Sequence, residues 1–149
     1  MINVVIAGEA RTPMGGFRGD FAPMTAAQLG GAAIKAALAG AQTDTVDEVL
    51  MGSVLPAGQG QAPARQAGFE GGLGEEVPAT TLNKMCGSGM KAAMIAYDQI
   101  ALGNTDVMIA GGMESMTNAP YLLEKMRGGA RLGHGSVIDH IFLDGLEDA

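Results

Sequence analysis

The apolar runs along this chain come in short blocks separated by glycine-rich or polar turns. Asn3 to Gly8 is a β-branched run that meets the glycine-rich stretch Arg11-Thr12-Pro13-Met14-Gly15-Gly16, the pattern of a buried strand followed by a loop. Thr25-Ala26-Ala27-Gln28 has the spacing of a capping box, in which hydroxyl and amide satisfy the first N–H groups of a helix; this one is expected to run to about Gly40. Glu48 to Leu55 reads as a second strand, and Pro63 stands where a first helical residue is expected before Ala64-Arg65-Gln66-Ala67. Val77 to Leu82 is a third strand, Met90 to Leu102 a helix, and Val107 to Ala110 a fourth strand ending in Gly111-Gly112. The predicted order is β-α-β-α-β-α-β. Right-handed crossovers then require an α/β fold: a mainly parallel sheet covered by helices on both faces. Beyond Ser115 the pattern breaks at Asn118-Ala119-Pro120, so a second substructure is expected to begin near residue 117.

Composition refines this picture. A chain of 149 residues suffices for one domain and buries roughly two-thirds of its unfolded surface. It is 47% hydrophobic but only 4% aromatic, with 24 Gly and 11 Met, so its core must be built from small aliphatic and thioether side chains. Sixteen acidic against nine basic residues give a formal charge of −7, and no basic face can be assembled, which excludes nucleic acid as a partner. Glycine or charge interrupts every apolar stretch before the roughly 18 residues that would span a bilayer. The single cysteine cannot form an internal disulfide, and Met1 to Ala7 lacks the basic and small-residue features of a secretion signal, so the chain reads as cytoplasmic.

The strongest chemical constellation is Asn83-Lys84-Met85-Cys86-Gly87-Ser88-Gly89-Met90-Lys91-Ala92-Ala93, which places a thiol between a strand and a helix. Helix starts expose unpaired N–H groups and a partial positive charge that favour a thiolate. Gly87 and Gly89 leave room for a thioester to approach. Lys91 and Asp98 are the only ionised residues of the following helix, and the rest is apolar all round, the pattern of a deeply buried helix. A helix terminus favours an adjacent anion by about 1 kcal/mol, too little to ionise an ordinary thiol at neutral pH, so a base is required. His134 and His140 are the only histidines, both downstream of the sheet, and neither is evidently aimed at Cys86. A lone cytosolic cysteine is commonly a small buried hydrophobe, and two glycines that would weaken both flanking elements argue for a nucleophile; on the residues alone the two readings stand about even.

These residues resemble a known family. Asn83 to Ala92 is similar to the thiolase active-site segment, and Gly111-Gly112-Met113-Glu114-Ser115-Met116 to a second thiolase signature. Arg11-Thr12-Pro13 with Gly15, Phe17 and Gly19, and Gln61 with Pro63-Ala64-Arg65-Gln66-Ala67, also fall at thiolase positions in the same order. The resemblance implies an acetyl-CoA acetyltransferase or 3-ketoacyl-CoA thiolase of fatty acid metabolism, working by a ping-pong mechanism. Cys86 would take the acyl group from an acyl-CoA thioester, with its own N–H in the oxyanion hole. The acyl group would then pass to CoA or to the α-carbon of acetyl-CoA. Coenzyme A is a substrate, and no metal or redox cofactor is implied. Met85 and Met90, beside Cys86, are candidates for lining the acyl pocket.

The resemblance also implies that residues 1–116 are most of a thiolase N-terminal domain and 117–149 the beginning of a loop domain. The activating histidine, the second cysteine, the last strand of this sheet and a second, repeated sheet domain are expected in a C-terminal half beyond these residues. The 149 residues alone are therefore expected to have no turnover, and the whole protein to be a homo-oligomer, dimer or tetramer.

Other readings are weaker or of a different class. Gly58-Gln59-Gly60 begins a dinucleotide fingerprint, but Pro63 stands in place of its third glycine. A serine nucleophile elbow at Ser88 would need glycine where Cys86 stands, so Ser88 is expected to support the turn. His134 and His140 lack ligand partners at metal spacing and read as solvent-facing or packing residues. Lys125, Arg127 and Arg131 read as a solvated loop, with a CoA phosphate or a neighbouring subunit as the functional alternative. Two rivals to the thiolase reading remain: a non-catalytic or split-thiolase assembly module, and a β-ketoacyl synthase-like enzyme, whose nucleophilic cysteine also lies between a strand and a helix.

Overall fold

A computed structural model describes residues 3–43 and 45–148. Helix α1 (Ala26–Ala41) starts at the capping box: Thr25 Oγ1 accepts the Gln28 N–H and the Gln28 side chain accepts the Thr25 N–H. The helix ends at Gln42, whose left-handed backbone returns its N–H to the Leu38 carbonyl. Strand β1 (Glu48–Gly52), helix α2 (Pro63–Glu70), strand β2 (Ala79–Leu82), helix α3 (Ser88–Ala101) and strand β3 (Met108–Gly112) follow. The three strands form a parallel sheet of order β2-β1-β3, with Val49 opposite Ala79 and Ile109.

Helices cover both faces, as the α-β alternation requires, and β1 shows how. Val49 and Met51 point into a core with Ala26, Ala27 and Ile34 of α1, Ala64 and Ala67 of α2, and Met113. Leu50 points the other way, onto Ala92 and Ala96 of α3. This is the two-fold alternation of strand side chains, and buried alanines let helix and sheet approach closely. Gly31 serves the same end between α1 and α2, because a Cβ there would overlap the Glu70 side chain.

Asp47 fastens the start of β3 to β1. Its N–H donates to the Val107 carbonyl at 2.8 Å, and its carboxylate accepts the N–H groups of Asp106 and Val107 at 2.7 and 2.8 Å. The Val107 and then the Asp106 hydrogen bond hold its pKa below the ordinary 3.8, against a smaller opposing contribution from burial. A carboxyl with a depressed folded-state pKa stabilises the fold fully above its unfolded value, and that stabilisation is lost as pH falls through the folded value. Asp47→Asn is therefore expected to lower the urea midpoint at pH 7, with the gap from wild type closing only below pH 3.8.

Three local expectations change. Asn3–Gly8 carries no strand ladder, and Val5 and Ile6 are exposed, because no neighbouring strand among the described residues supplies its hydrogen bonds. Strand β1 stops at Gly52 rather than Leu55, since the N–H groups of Val54 and Leu55 turn to the Glu114 carboxylate. Helix α3 is not deeply buried: Ser88, Ala92 and Ala96 form its covered stripe, while Met90, Met94 and Tyr97 are exposed on the other side. Nothing else among the described residues packs on that outer face. Past residue 115 come a two-stranded antiparallel pair, β4 (Tyr121–Leu122) and β5 (Ile138–Asp139), and a π-helical turn over Phe142–Leu146. No described helix is long and apolar enough to cross a membrane.

Candidate active site

Strand β2 delivers the chain to Asn83, and within five residues it must reverse into α3. It does so through Met85, whose φ of +44° lies in the left-handed region that favours glycine. The Asn83 side chain accepts the Met85 N–H at 2.8 Å, an Asx turn. Ser88, at the start of α3, accepts the Lys84 N–H at 2.9 Å and donates its hydroxyl to the Met85 carbonyl at 2.6 Å. Ser88 thus supports the turn as its sequence context predicts: it is buried with its hydroxyl engaged on both sides, which leaves it no role as a nucleophile.

Cys86 stands on the crest of this turn, two residues before α3, and is exposed. Among the described residues no acceptor meets the N–H groups of Cys86, Gly89 or Met90, so the open end of a 14-residue helix faces the sulfur's surroundings. The Lys84 ammonium folds over the same turn, 3.8 Å from where a side chain on Gly87 would begin, and adds to the positive potential there. The sheet end approaches closely beneath: a Cβ on Gly52 would lie 2.5 Å from the Ser88 Cβ, so only glycine lets β1 support α3 at this point. Met85 and Met90 flank Cys86 and are 46% and 73% exposed, forming an open rim rather than a closed pocket.

Behind the turn lies a polar cluster that the sequence did not reveal. The Glu114 carboxylate accepts the N–H groups of Val54 and Leu55 at 2.8 and 3.1 Å and the Ser53 hydroxyl at 3.3 Å. The Asn83 amide donates to the Val54 carbonyl at 3.4 Å, joining this cluster to the Met85 turn. The Gln66 amide closes the following loop onto the carbonyls of Gln59 and Gln61, and Thr81 caps α2 by accepting the Ala64 N–H. Gly58 and Gly60 serve that loop's turns with φ of +76° and +82°, the role that remains once a dinucleotide fingerprint is set aside. A carboxylate two residues after Gly111-Gly112, where the strand pattern ends, was the available signal for Glu114.

The Arg11-Thr12-Pro13 segment and the Glu114-Ser115-Met116 segment meet, although about a hundred residues separate them. Asn118 and Ser115 bond the carbonyls of Ala22 and Met24, and the Arg18 N–H donates to Thr117. A cavity of about 320 Å³ lies between the two segments, and its lining does not include Cys86. His140 is buried with Nδ1 2.5 Å from Asp144 Oδ2, and its Nε2 meets no partner among the described residues. His134, Arg127 and Arg131 are exposed, as is Lys125, which reaches the His134 carbonyl. The described residues thus join the nucleophile candidate to its supporting turn but bring neither histidine into contact with it.

The family described as "Thiolase, N-terminal domain" matches residues 4–149. An acetyl-CoA acetyltransferase of Saccharomyces pastorianus is 49% identical over 99% of this chain, which spans 38% of the relative. Acetyl-CoA acetyltransferase 2 of Arabidopsis thaliana is 53% identical over 98% of the chain and 37% of the relative. An acetyl-CoA acetyltransferase of Cupriavidus necator is 48% identical, with 99% and 38% coverage. The chain therefore spans less than two-fifths of the length of these relatives. With its parallel sheet, its cysteine at the head of α3 and a family match that spans residues 4–149, the chain belongs to the thiolase family and carries that family's N-terminal domain.

Proposed function

We propose that the whole protein is an acyl-CoA:acetyl-CoA C-acyltransferase and that Cys86 carries its acyl group. The observation that supports this most is an exposed cysteine on a braced turn at the start of α3, whose first N–H groups include ones that meet no acceptor among the described residues. The thiolate of Cys86 attacks the carbonyl carbon of an acyl-CoA thioester, a new C–S bond forms, and the bond to CoA sulfur breaks. CoA leaves with the proton the cysteine gave up. In the condensing direction, the α-carbon of acetyl-CoA, after losing a proton, attacks the acyl carbon and frees the cysteine. In thiolysis the same steps run backwards, with CoA as acceptor. The negative charge that builds on the carbonyl oxygen calls for donors already in place, and the N–H of Cys86, which meets no acceptor among the described residues, would be one such group.

The proton acceptor for Cys86 lies outside these residues, in a C-terminal half that also supplies the second cysteine and the outer wall of the acyl pocket beyond Met85 and Met90. Residues 1–116 are the sheet domain and 117–149 the beginning of a loop domain. The hairpin β4–β5 shares no ladder with the main sheet, which supports that division. The protein works in the cytoplasm as a homo-oligomer, for which β2, paired only with β1 among the described residues, offers a strand edge.

A rate assay on the full-length protein separates this reading from a β-ketoacyl synthase and from a non-catalytic module. Cleavage of acetoacetyl-CoA by free CoA is expected, with no comparable turnover of an acyl-carrier-protein thioester. Preference for the carrier-protein substrate would establish the synthase, and turnover of neither the module.

A further inference from the structure

We propose that Asn83 and Ser88 are positioning residues for Cys86: together they lock the left-handed turn at Met85 that fixes where the sulfur stands at the head of α3. The proposal rests on Cys86 being the acyl carrier. A residue with a side chain held at a φ near +44° is strained by about 1–2 kcal/mol, so the turn persists only where its surroundings impose it. Three side-chain hydrogen bonds do so. Asn83 Oδ1 takes the Met85 N–H, and Ser88 takes the Lys84 N–H while donating to the Met85 carbonyl. The Met85 N–H is thus held by a side chain, and its carbonyl by both the hydroxyl and the backbone N–H of Ser88, rather than by a strand ladder.

The two clamps are themselves fixed. The Asn83 amide donates to the Val54 carbonyl, and the Val54 N–H donates to Glu114 at the end of β3. Ser88 is 6% exposed and rests against Gly52 at the end of β1. The turn is therefore tied to the ends of two strands. Cys86 itself is exposed, and its N–H meets no acceptor among the described residues, so its own contacts cannot hold it. A shift of the turn moves the sulfur and the N–H that would face the carbonyl oxygen as one unit. Misplacement of reacting atoms by about 1 Å costs up to about 100-fold in rate.

The test uses the full-length protein with acetoacetyl-CoA and CoA, comparing wild type, Asn83→Ala, Ser88→Ala, Asn83→Asp and Cys86→Ser, with thermal melts of each. Asn83→Ala and Ser88→Ala are expected to lower kcat by about 10- to 100-fold, with KM within about threefold, because orientation is lost and binding is not. Asn83→Asp keeps the acceptor for the Met85 N–H but loses the donor to the Val54 carbonyl, so at its own pH optimum its kcat is expected to fall between those of Asn83→Ala and wild type. Its added negative charge is expected to move the acid limb of the pH profile upward. A folded Asn83→Ala with kcat within about twofold of wild type would overturn the proposal, as would equal losses in Asn83→Ala and Asn83→Asp. If Asn83→Ala does not fold, Ser88→Ala decides: a loss of about tenfold or more in kcat with an unchanged melt supports the clamp, and a kcat within about twofold of wild type refutes it. Cys86→Ser separates the two claims, since thiolysis surviving in that variant removes the nucleophile itself, whereas its loss alongside an unaffected Asn83→Ala removes only the clamp.

Discussion

Cys86→Ser in the full-length protein is expected to lower kcat for acetoacetyl-CoA thiolysis on the order of 10⁴-fold or more, the scale seen when a covalent nucleophile is removed. The reason lies in the two sulfur bonds exchanged. Attack by a thiolate on a thioester makes a bond of the same kind as the one it breaks, so the acyl group passes in either direction without a deep well. A serine hydroxyl is deprotonated far less readily, and once acylated it forms an oxygen ester that gives up its acyl group more slowly. The loss should fall on kcat, with the melting temperature and CoA binding little changed, because Cys86 is exposed and packs into no core cluster. Steady-state kinetics with a melt of the same sample checks both parts. Unchanged thiolysis would contradict the assignment.

The second large effect is expected at Glu114, and it falls on stability first. Its carboxylate is the acceptor for two backbone N–H groups and one hydroxyl in a part-buried setting. Glu114→Ala leaves those donors without a partner, at about 1–3 kcal/mol for each group that water cannot reach. Allowing for partial rehydration, a loss of about 2–5 kcal/mol is expected in urea or guanidinium unfolding. Glu114→Gln should recover only part of it. The two carboxylate oxygens serve different donors, and the amide NH₂ that replaces one of them would face a donor. Full recovery in the glutamine variant would show that Glu114 acts through shape alone.

The sequence disclosed those features whose causes are local. The capping box at Thr25 and Gln28, the proline that opens α2, and the apolar runs of the three strands each sit in a few adjacent residues, and each stands where the pattern put it. The position of Cys86 between β2 and α3 was legible for the same reason. What escaped depends on groups distant along the chain. The end of β1 is set by a carboxylate 60 residues away from Val54, which no window over Glu48 to Leu55 contains. Asn3 to Gly8 has the composition of a strand, but a strand is made by its neighbour. An apolar surface all round α3 reads as burial on both sides, yet among the described residues only the stripe of Ser88, Ala92 and Ala96 is covered. In the candidate site, the motif pointed to Cys86, while the hydrogen bonds of Asn83, Ser88 and Glu114 emerged only when the strand ends were seen together.

The most direct test is to trap the intermediate. Full-length protein is incubated with acetyl-CoA in the absence of acceptor, quenched in acid, digested and analysed by mass spectrometry, with iodoacetamide labelling run in parallel. One acetyl group on the peptide containing Cys86, lost when free CoA is added before the quench, together with protection of that cysteine from iodoacetamide, is the predicted result. An unmodified Cys86 peptide from enzyme that is turning over acetoacetyl-CoA, or acetyl found on a different residue, would contradict the account.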